Sequence, residues 1–117
     1  MKLLLLTACL FLHMYAVPTF AHELSGKTLL LKYEQEQHYK VSFEEKDLTW
    51  KGVKGDDKNS ETDPYQFKKI ATEIYLVNWT EKDGTFVDIV LNFASMKVYS
   101  SGKSGESTWL REGDIQF

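Results

Sequence analysis

Trp79 and Glu81 are the pair of residues whose types and spacing best suit chemistry. In a strand that continues through Thr80, their side chains point to the same side. A carboxyl group beside an indole loses hydration, which raises its pKa and suits it to general acid or base catalysis. The alternative is a solvated glutamate at a hairpin end, because Lys82 and Asp83 follow. The pattern alone favours this solvated alternative.

Aromatic residues are the second group with chemical potential, at 14% of the chain. Tyrosine and tryptophan offer flat apolar faces and a polar atom, a combination that lines many small-molecule cavities. The same rings also suit the packed core of a small domain, and for each of them both interpretations stay open. These residues are Tyr33, Tyr39, Trp50, Tyr65, Tyr75 and Trp79.

Several other kinds of chemistry find little support in the sequence. His22 and His38 are the histidines of the chain beyond the apolar N-terminal stretch. An N-terminal amine and imidazole of His22 can bind copper, with His38 as a second imidazole, but an exposed His22 on a disordered tail is the favoured interpretation. The sequence contains neither a Gly-x-Ser-x-Gly elbow nor a His-Glu-x-x-His motif. A net charge of -3 disfavours nucleic-acid binding. We therefore expect no metal, no cofactor and no nucleic-acid partner.

Residues 1–21 have the features of a secretory signal peptide. Lys2 precedes an apolar stretch from Leu3 to Val17, and Thr19-Phe20-Ala21 fits a cleavage site. The apolar stretch is short for a membrane-spanning helix. We predict cleavage after Ala21, a secreted or periplasmic location without a membrane anchor, and one domain over residues 22–117. Cys9 falls in the leader, so the domain has no disulfide and no cysteine-built zinc site.

The sequence pattern predicts that the remainder of the chain forms short strands with almost no helix. Apolar and polar residues alternate over 38–43, 73–79 and 85–93, and Asp83-Gly84 is a hairpin turn signal. The polar segment Gly52–Pro64 is predicted to be a mobile surface loop, and Gly113-Asp114 a turn. About eight such strands favour an all-β, antiparallel up-and-down barrel of the calycin or lipocalin-like type, because closure removes exposed edges.

The segment Tyr75–Asn92, YLVNWTEKDGTFVDIVLN, carries a resemblance to known proteins. It resembles the central hairpin of the phenolic acid decarboxylases, whose pattern is Tyr-x-Val-Ser-Trp-Thr-Glu-x-x-Gly-Thr-x-Val. It is also similar to the related MoaF-like proteins, which share the tryptophan, a nearby acid and a valine-rich strand. Upstream, Lys32-Tyr33-Glu34 and Tyr39-Lys40-Val41 resemble the first hairpin of that family, and the resemblance extends over residues 26–100.

The resemblance implies a calycin barrel with a central small-molecule cavity. In the decarboxylases the active site uses the glutamate of this motif, two tyrosines of the first strand and an arginine. Glu81 matches the glutamate and Tyr33 the second tyrosine, whereas Leu31 stands in place of the first. The arginine has no counterpart in the middle of the chain, since the single arginine is Arg111.

The leading hypothesis is a secreted or periplasmic barrel that binds a small, partly aromatic or apolar ligand in its lumen. Tyr33, Tyr39, Trp50 and Trp79 form the predicted wall, and Glu81 the predicted polar anchor. An enzyme is the first alternative: a cofactor-free lyase of the decarboxylase type, with Glu81 as the catalytic proton donor. It requires a raised Glu81 pKa and a cationic group in the cavity. The second alternative is a protein-interaction or inhibitor module that uses the Gly52–Pro64 loop.

Overall fold

A computed structural model describes residues 22–117 of the chain. The predicted signal peptide, its cleavage after Ala21 and Cys9 lie outside the described residues, so they stay predictions. Residues 22–117 contain eight strands and one short 3-10 turn, Glu34–Glu36. The strands are β1 Thr28–Tyr33, β2 His38–Phe43, β3 Asp47–Lys54, β4 Ser60–Ala71, β5 Ile74–Thr80, β6 Phe86–Asn92, β7 Lys97–Ser104 and β8 Ser107–Gln116.

The eight strands of this region form a closed antiparallel barrel in which each strand pairs with its neighbours in sequence. Closure comes from β8, which returns beside β1 and pairs Ile115 with Leu31 and Gly113 with Tyr33. Since the sheet closes on itself, the backbone groups at its ends find partners and no long edge is left for another chain. The predicted all-β up-and-down barrel is confirmed.

Alternation along each strand places one set of side chains inside the barrel. On β1 the buried residues are Leu29, Leu31 and Tyr33, and on β6 they are Val87, Ile89 and Leu91. Successive side chains of a strand point to opposite faces, so a period of two in the sequence becomes an inner and an outer surface. The Asp83-Gly84 turn between β5 and β6 is also where the sequence predicts it.

One end of the barrel is closed by the segment that precedes β1. Leu24 is fully buried, and the Gly26 amide donates to the Phe43 carbonyl at 2.7 Å. His22 is partly buried: its ring lies 4.2 Å from that of Phe67, and its Nε2 is 2.9 Å from the Tyr65 hydroxyl. The interpretation of His22 as an exposed tail is therefore wrong, because the ring packs on the barrel. Any open cavity must face the opposite end.

Two predicted connections are in fact strand. Most of the predicted Gly52–Pro64 loop belongs to β3 and β4, and only residues 55–59 connect them. Although the segment is polar throughout, its side chains alternate between the outer and inner faces of the barrel. Glu61 and Asp63 point inward, and Asp63 is 2% exposed. The predicted turn at Gly113-Asp114 lies inside the continuous strand β8. A Cβ atom on Gly113 would lie 2.5 Å from the Lys32 carbonyl oxygen, so glycine here serves close strand packing.

Within residues 22–117 no helix has the length and apolar composition that crossing a membrane requires.

Candidate functional site

A cavity of about 260 Å³ occupies the barrel end opposite the Leu24 closure. All five residues predicted for the ligand site line this one cavity: Tyr33, Tyr39, Trp50, Trp79 and Glu81. Tyr33, Tyr39, Trp79 and Glu81 stand at or just beyond the strand ends on this side of the barrel, whereas Trp50 reaches the cavity from the middle of β3. Val87, which pairs with Trp79, adds to the apolar wall, and Leu31, Val41 and Ile89 line the cavity deeper in the barrel.

Three of the aromatic rings form a continuous wall across β1, β2 and β3. The ring centroids of Tyr33 and Tyr39 are 6.0 Å apart at an interplanar angle of 73°. Tyr39 meets Trp50 in the same way, at 6.0 Å and 74°. Edge-to-face contacts of this kind hold each ring in one orientation. The wall is therefore a preformed surface against which a flat ligand can pack.

The two phenol groups of this wall remain protonated. Burial raises the pKa of Tyr33 to about 12, although a hydrogen bond with Ser100 and the charge of Arg111 act in the opposite direction. Burial also raises the pKa of Tyr39 to about 12, and a 2.8 Å hydrogen bond to Asp57 Oδ2 adds to the effect. Both groups are thus neutral hydroxyls and offer hydrogen bonds rather than act as bases.

Glu81 lies just after β5 and is partly buried at the cavity wall. Its Oε2 accepts a hydrogen bond of 3.1 Å from the Trp79 indole nitrogen. Burial raises the pKa of Glu81 to about 7, the Trp79 bond lowers it, and the nearby Glu61, Asp83 and Asp63 raise it further. The prediction of a solvated glutamate is wrong, because the hairpin turns this side chain back against the barrel. Near neutral pH the carboxyl group can therefore hold or release a proton.

Behind Glu81, two further acids of β4 face inward. Asp63 is 2% exposed, and burial together with a hydrogen bond to Glu61 raises its pKa. The Trp50 indole nitrogen faces this carboxyl group, yet neither Trp50 Nε1 nor Asp63 Oδ2 completes a hydrogen bond. Glu61 Oε2 accepts from the Lys82 amide at 2.9 Å. Glu61, Asp63 and Glu81 therefore form a cluster of three carboxyl groups on one side of the barrel, and of these three Glu81 lines the cavity.

Arg111 is the main cavity residue that sequence reasoning missed. It lies on β8 and reaches the lumen because β8 closes the barrel against β1. Its guanidinium carbon is 5.9 Å from the Tyr33 ring and 5.6 Å from the Trp109 ring. Among residues 22–117 Arg111 takes part in no ion pair. A guanidinium group that is fixed between aromatic rings and lacks a carboxylate partner is suited to bind an anionic group of a ligand.

Asp57 is the second residue that the sequence did not reveal. It belongs to the connection 55–59, and two hydrogen bonds with the Gln37 side chain hold its backbone, at 3.1 and 3.3 Å. The Asp57 carbonyl oxygen would lie 1.8 Å from a Cβ atom on Gly52, so the connection can fold over β3 only at a glycine. Asp57 therefore stands at the cavity mouth and orients the Tyr39 hydroxyl.

Among residues 22–117 no group of three His, Cys, Asp or Glu side chains is arranged to hold a metal ion. What the cavity does combine is a flat aromatic wall, a guanidinium group and a carboxyl group that titrates near neutral pH. This set can bind a small aromatic anion and can donate a proton to it.

Comparison with known proteins gives one family and one similar fold. A family model described as MoaF-like matches residues 25–115. A crystal structure from Burkholderia vietnamiensis, described provisionally as a beta-lactamase, superposes with a TM-score of 0.78 at 17% sequence identity. The match covers 84% of this chain and 98% of that one, and at this identity it shows the shared fold alone. None of the curated proteins matches the sequence.

Proposed function

Because this chain belongs to the MoaF-like family and its barrel encloses a cavity lined by aromatic rings, we propose that it binds a small, partly aromatic or apolar ligand in the lumen. The observation that carries the proposal is the convergence of Tyr33, Tyr39, Trp50, Trp79 and Glu81 on one open space. Had side chains filled the lumen, the same rings would be no more than a core.

The size and the charges of the cavity narrow the class of ligand. A volume of about 260 Å³ holds roughly nine water molecules, and a cavity of about 150 Å³ already takes benzene, so one substituted ring fits. The unpaired guanidinium group of Arg111 favours a ligand that also carries a negative charge. A small aromatic carboxylate, with its ring against Tyr33 and Trp109 and its carboxylate on Arg111, satisfies both conditions.

A matched pair of variants on β7 tests lumen binding. Ser100 lines the cavity, whereas the next residue, Ser101, points to the outer face. We expect Ser100→Leu to abolish the binding of p-coumarate, ferulate or cinnamate in isothermal titration calorimetry, while Ser101→Leu leaves it unchanged. Circular dichroism of both variants verifies the fold. Equal binding by the two variants, or no binding of any of these acids by the wild type, would contradict the proposal.

A cofactor-free lyase of the decarboxylase type is the second candidate, and two observations favour it. The pKa of Glu81 lies near 7, and a cationic group, Arg111, shares its cavity. These are the two features that the hypothesis requires. In such a reaction Arg111 and the neighbouring Tyr39 hydroxyl hold the substrate carboxylate, and Glu81 donates the proton that replaces carbon dioxide.

Turnover of p-coumarate or ferulate tests the enzyme candidate directly. Loss of substrate and appearance of the vinylphenol product are followed by chromatography, with Glu81→Gln as the control that cannot donate a proton. Turnover by the wild type that disappears in Glu81→Gln supports the enzyme. Binding without turnover leaves the protein a ligand carrier.

We also propose that the protein acts outside the cytoplasm, as residues 1–21 indicate. N-terminal sequencing of the protein recovered from its own host tests this, and His22 is the expected first residue. The interaction-module alternative gains no support, because the lumen is open and the connection 55–59 carries the polar residues Asp56, Asp57, Lys58 and Asn59.

A further inference from the structure

The interior of the barrel has an uneven distribution of charge. Glu61 and Asp63 precede Tyr65 on β4, Glu81 follows Trp79 after β5, and Tyr65 pairs with Trp79. The three carboxyl groups therefore gather on one side of the barrel. Arg111 reaches the cavity from β8, on another side.

The surroundings of Glu81 contain more negative than positive groups. Acidic groups of β4 and of the turn after β5 act on Glu81 directly, the same turn carries one positive group, and the 55–59 connection and β8 each add one charged group to the same cavity. These groups are Glu61, Asp63, Asp83 and Asp57 on the acidic side, and Lys82 and Arg111 on the basic side. Ionisation of all the acids would leave an excess of negative charge around the cavity, which opposes an entering anion.

A second observation shows that this cluster is incompletely paired. Asp63 is 2% exposed and its carboxyl group faces the Trp50 indole nitrogen, but neither Asp63 Oδ2 nor Trp50 Nε1 completes a hydrogen bond of full geometry. A buried carboxyl oxygen without a partner is better tolerated when the group is protonated than when it is charged. The cluster is thus built to hold a proton rather than three negative charges.

We propose that the lumen takes up an organic carboxylate together with one proton, the carboxylate pairing with Arg111 while the proton resides on the cluster of Glu61, Asp63 and Glu81. The proton comes from solvent and returns to solvent on release, so binding leaves the charge of the interior unchanged. This inference rests on the proposed function, since it assumes a carboxylate in the lumen. It makes the protein a binder whose affinity follows the local pH.

The expected size of the effect follows from the titration of Glu81. With a pKa of about 7, the free protein carries this proton in about nine-tenths of molecules at pH 6 and about one-tenth at pH 8. If only the protonated form binds well, the dissociation constant rises about tenfold between these two pH values. The number of protons taken up per bound ligand rises over the same range from about 0.1 to about 0.9.

Isothermal titration calorimetry with cinnamate tests the proposal on protein produced from the full chain. Cinnamate stays ionised from pH 6 to pH 8, and cinnamamide provides the same shape without the charge. At pH 8, titrations in HEPES and in Tris, which differ in ionisation enthalpy, give the number of protons taken up. We expect the tenfold loss of cinnamate affinity with rising pH and no such loss for cinnamamide.

Three variants locate the proton. Glu81→Gln should remove the pH dependence and raise the affinity for cinnamate at pH 8 to its value at pH 6. Glu61→Gln should move the midpoint of the dependence to lower pH, because one acidic neighbour is gone. Glu106→Gln, an exposed acid in the turn after β7, should change neither. Because Glu61 is less buried than Asp63, Glu61→Gln probes the cluster without disturbing the core, and Glu106→Gln serves as the control outside the cluster.

The outcomes separate the two proposals. Cinnamate binding with equal affinity at pH 6 and pH 8 and no proton uptake would overturn proton coupling and leave lumen binding intact. A wild-type pH dependence that survives in Glu81→Gln would also overturn it. Absence of cinnamate binding at every pH would instead contradict the proposed function on which the coupling rests.

Discussion

Replacement of Glu81 by glutamine should stabilise the protein in a way that depends on pH. In the unfolded chain the carboxyl group titrates near its ordinary pKa of 4.5, whereas in the barrel burial raises the pKa to about 7. Between these values the folded protein keeps a proton that the unfolded chain has released. The free energy of unfolding therefore falls as pH rises from 4.5 to 7, and stays lowered above pH 7.

The size of this effect follows from the two pKa values. A tenfold change in proton affinity corresponds to about 1.36 kcal/mol, so the full difference is about 3.4 kcal/mol. Because Glu81 is only partly buried, solvent screening reduces the expected penalty to about 2 kcal/mol. Glutamine has nearly the same shape and no charge, so the free energy of unfolding of Glu81→Gln should not fall with this titration.

Thermal unfolding followed by tryptophan fluorescence at pH 4 and pH 8 measures the prediction. For a domain of this size about 2 kcal/mol corresponds to at least about 8 °C in Tm. The Tm of Glu81→Gln relative to wild type should rise by that amount from pH 4 to pH 8. The exposed control Glu106→Gln should show a constant difference. A Glu81→Gln difference that is the same at both pH values would refute the assignment of Glu81 as a buried, easily protonated acid.

Three further predictions concern the packing that shapes the cavity. In Gly102→Ala the new Cβ atom would lie 2.0 Å from Trp109 Cζ2, so the indole must move by more than about 1 Å. We expect the free energy of unfolding in urea to fall by about 1–3 kcal/mol and the tryptophan emission spectrum to change. An unchanged emission spectrum would contradict this close contact. Gln37→Ala removes both hydrogen bonds to the Asp57 backbone and should cost about 1 kcal/mol; hydrogen exchange should accelerate in residues 55–59 and not in 81–85. Leu24→Ala removes a fully buried side chain from the closed end of the barrel, and the free energy of unfolding in urea should fall by about 2–5 kcal/mol. A fall of less than about 1 kcal/mol would show that the segment before β1 is not part of the core.

The local pattern of the sequence determined the fold class and which residues of a strand share a face. Alternation along a strand is a property of the strand itself, so it shows which residues share a face before any neighbour is known. Several strands are apolar on both faces, so the alternation did not show which face lines the lumen. The prediction of a lumen wall from Tyr33, Tyr39, Trp50 and Trp79 rested on the aromatic content and on the family resemblance. The Trp-Thr-Glu segment likewise indicated Glu81 as the polar group, through the resemblance to the decarboxylases.

Only the tertiary structure decided which charged groups join those rings. Arg111 is distant from Glu81 in sequence, and it enters the cavity because closure of the barrel sets β8 beside β1. Asp57 lies at the mouth of the cavity because a hydrogen bond from Gln37 fixes the 55–59 connection against the barrel. Asp63 is buried because the strand β4 begins at Ser60, within a segment whose polar composition predicts a loop. The pKa of Glu81 likewise depends on burial and on Glu61 and Asp63 of another strand, since desolvation and Coulomb interactions act between groups that are near in space, whatever their separation along the chain.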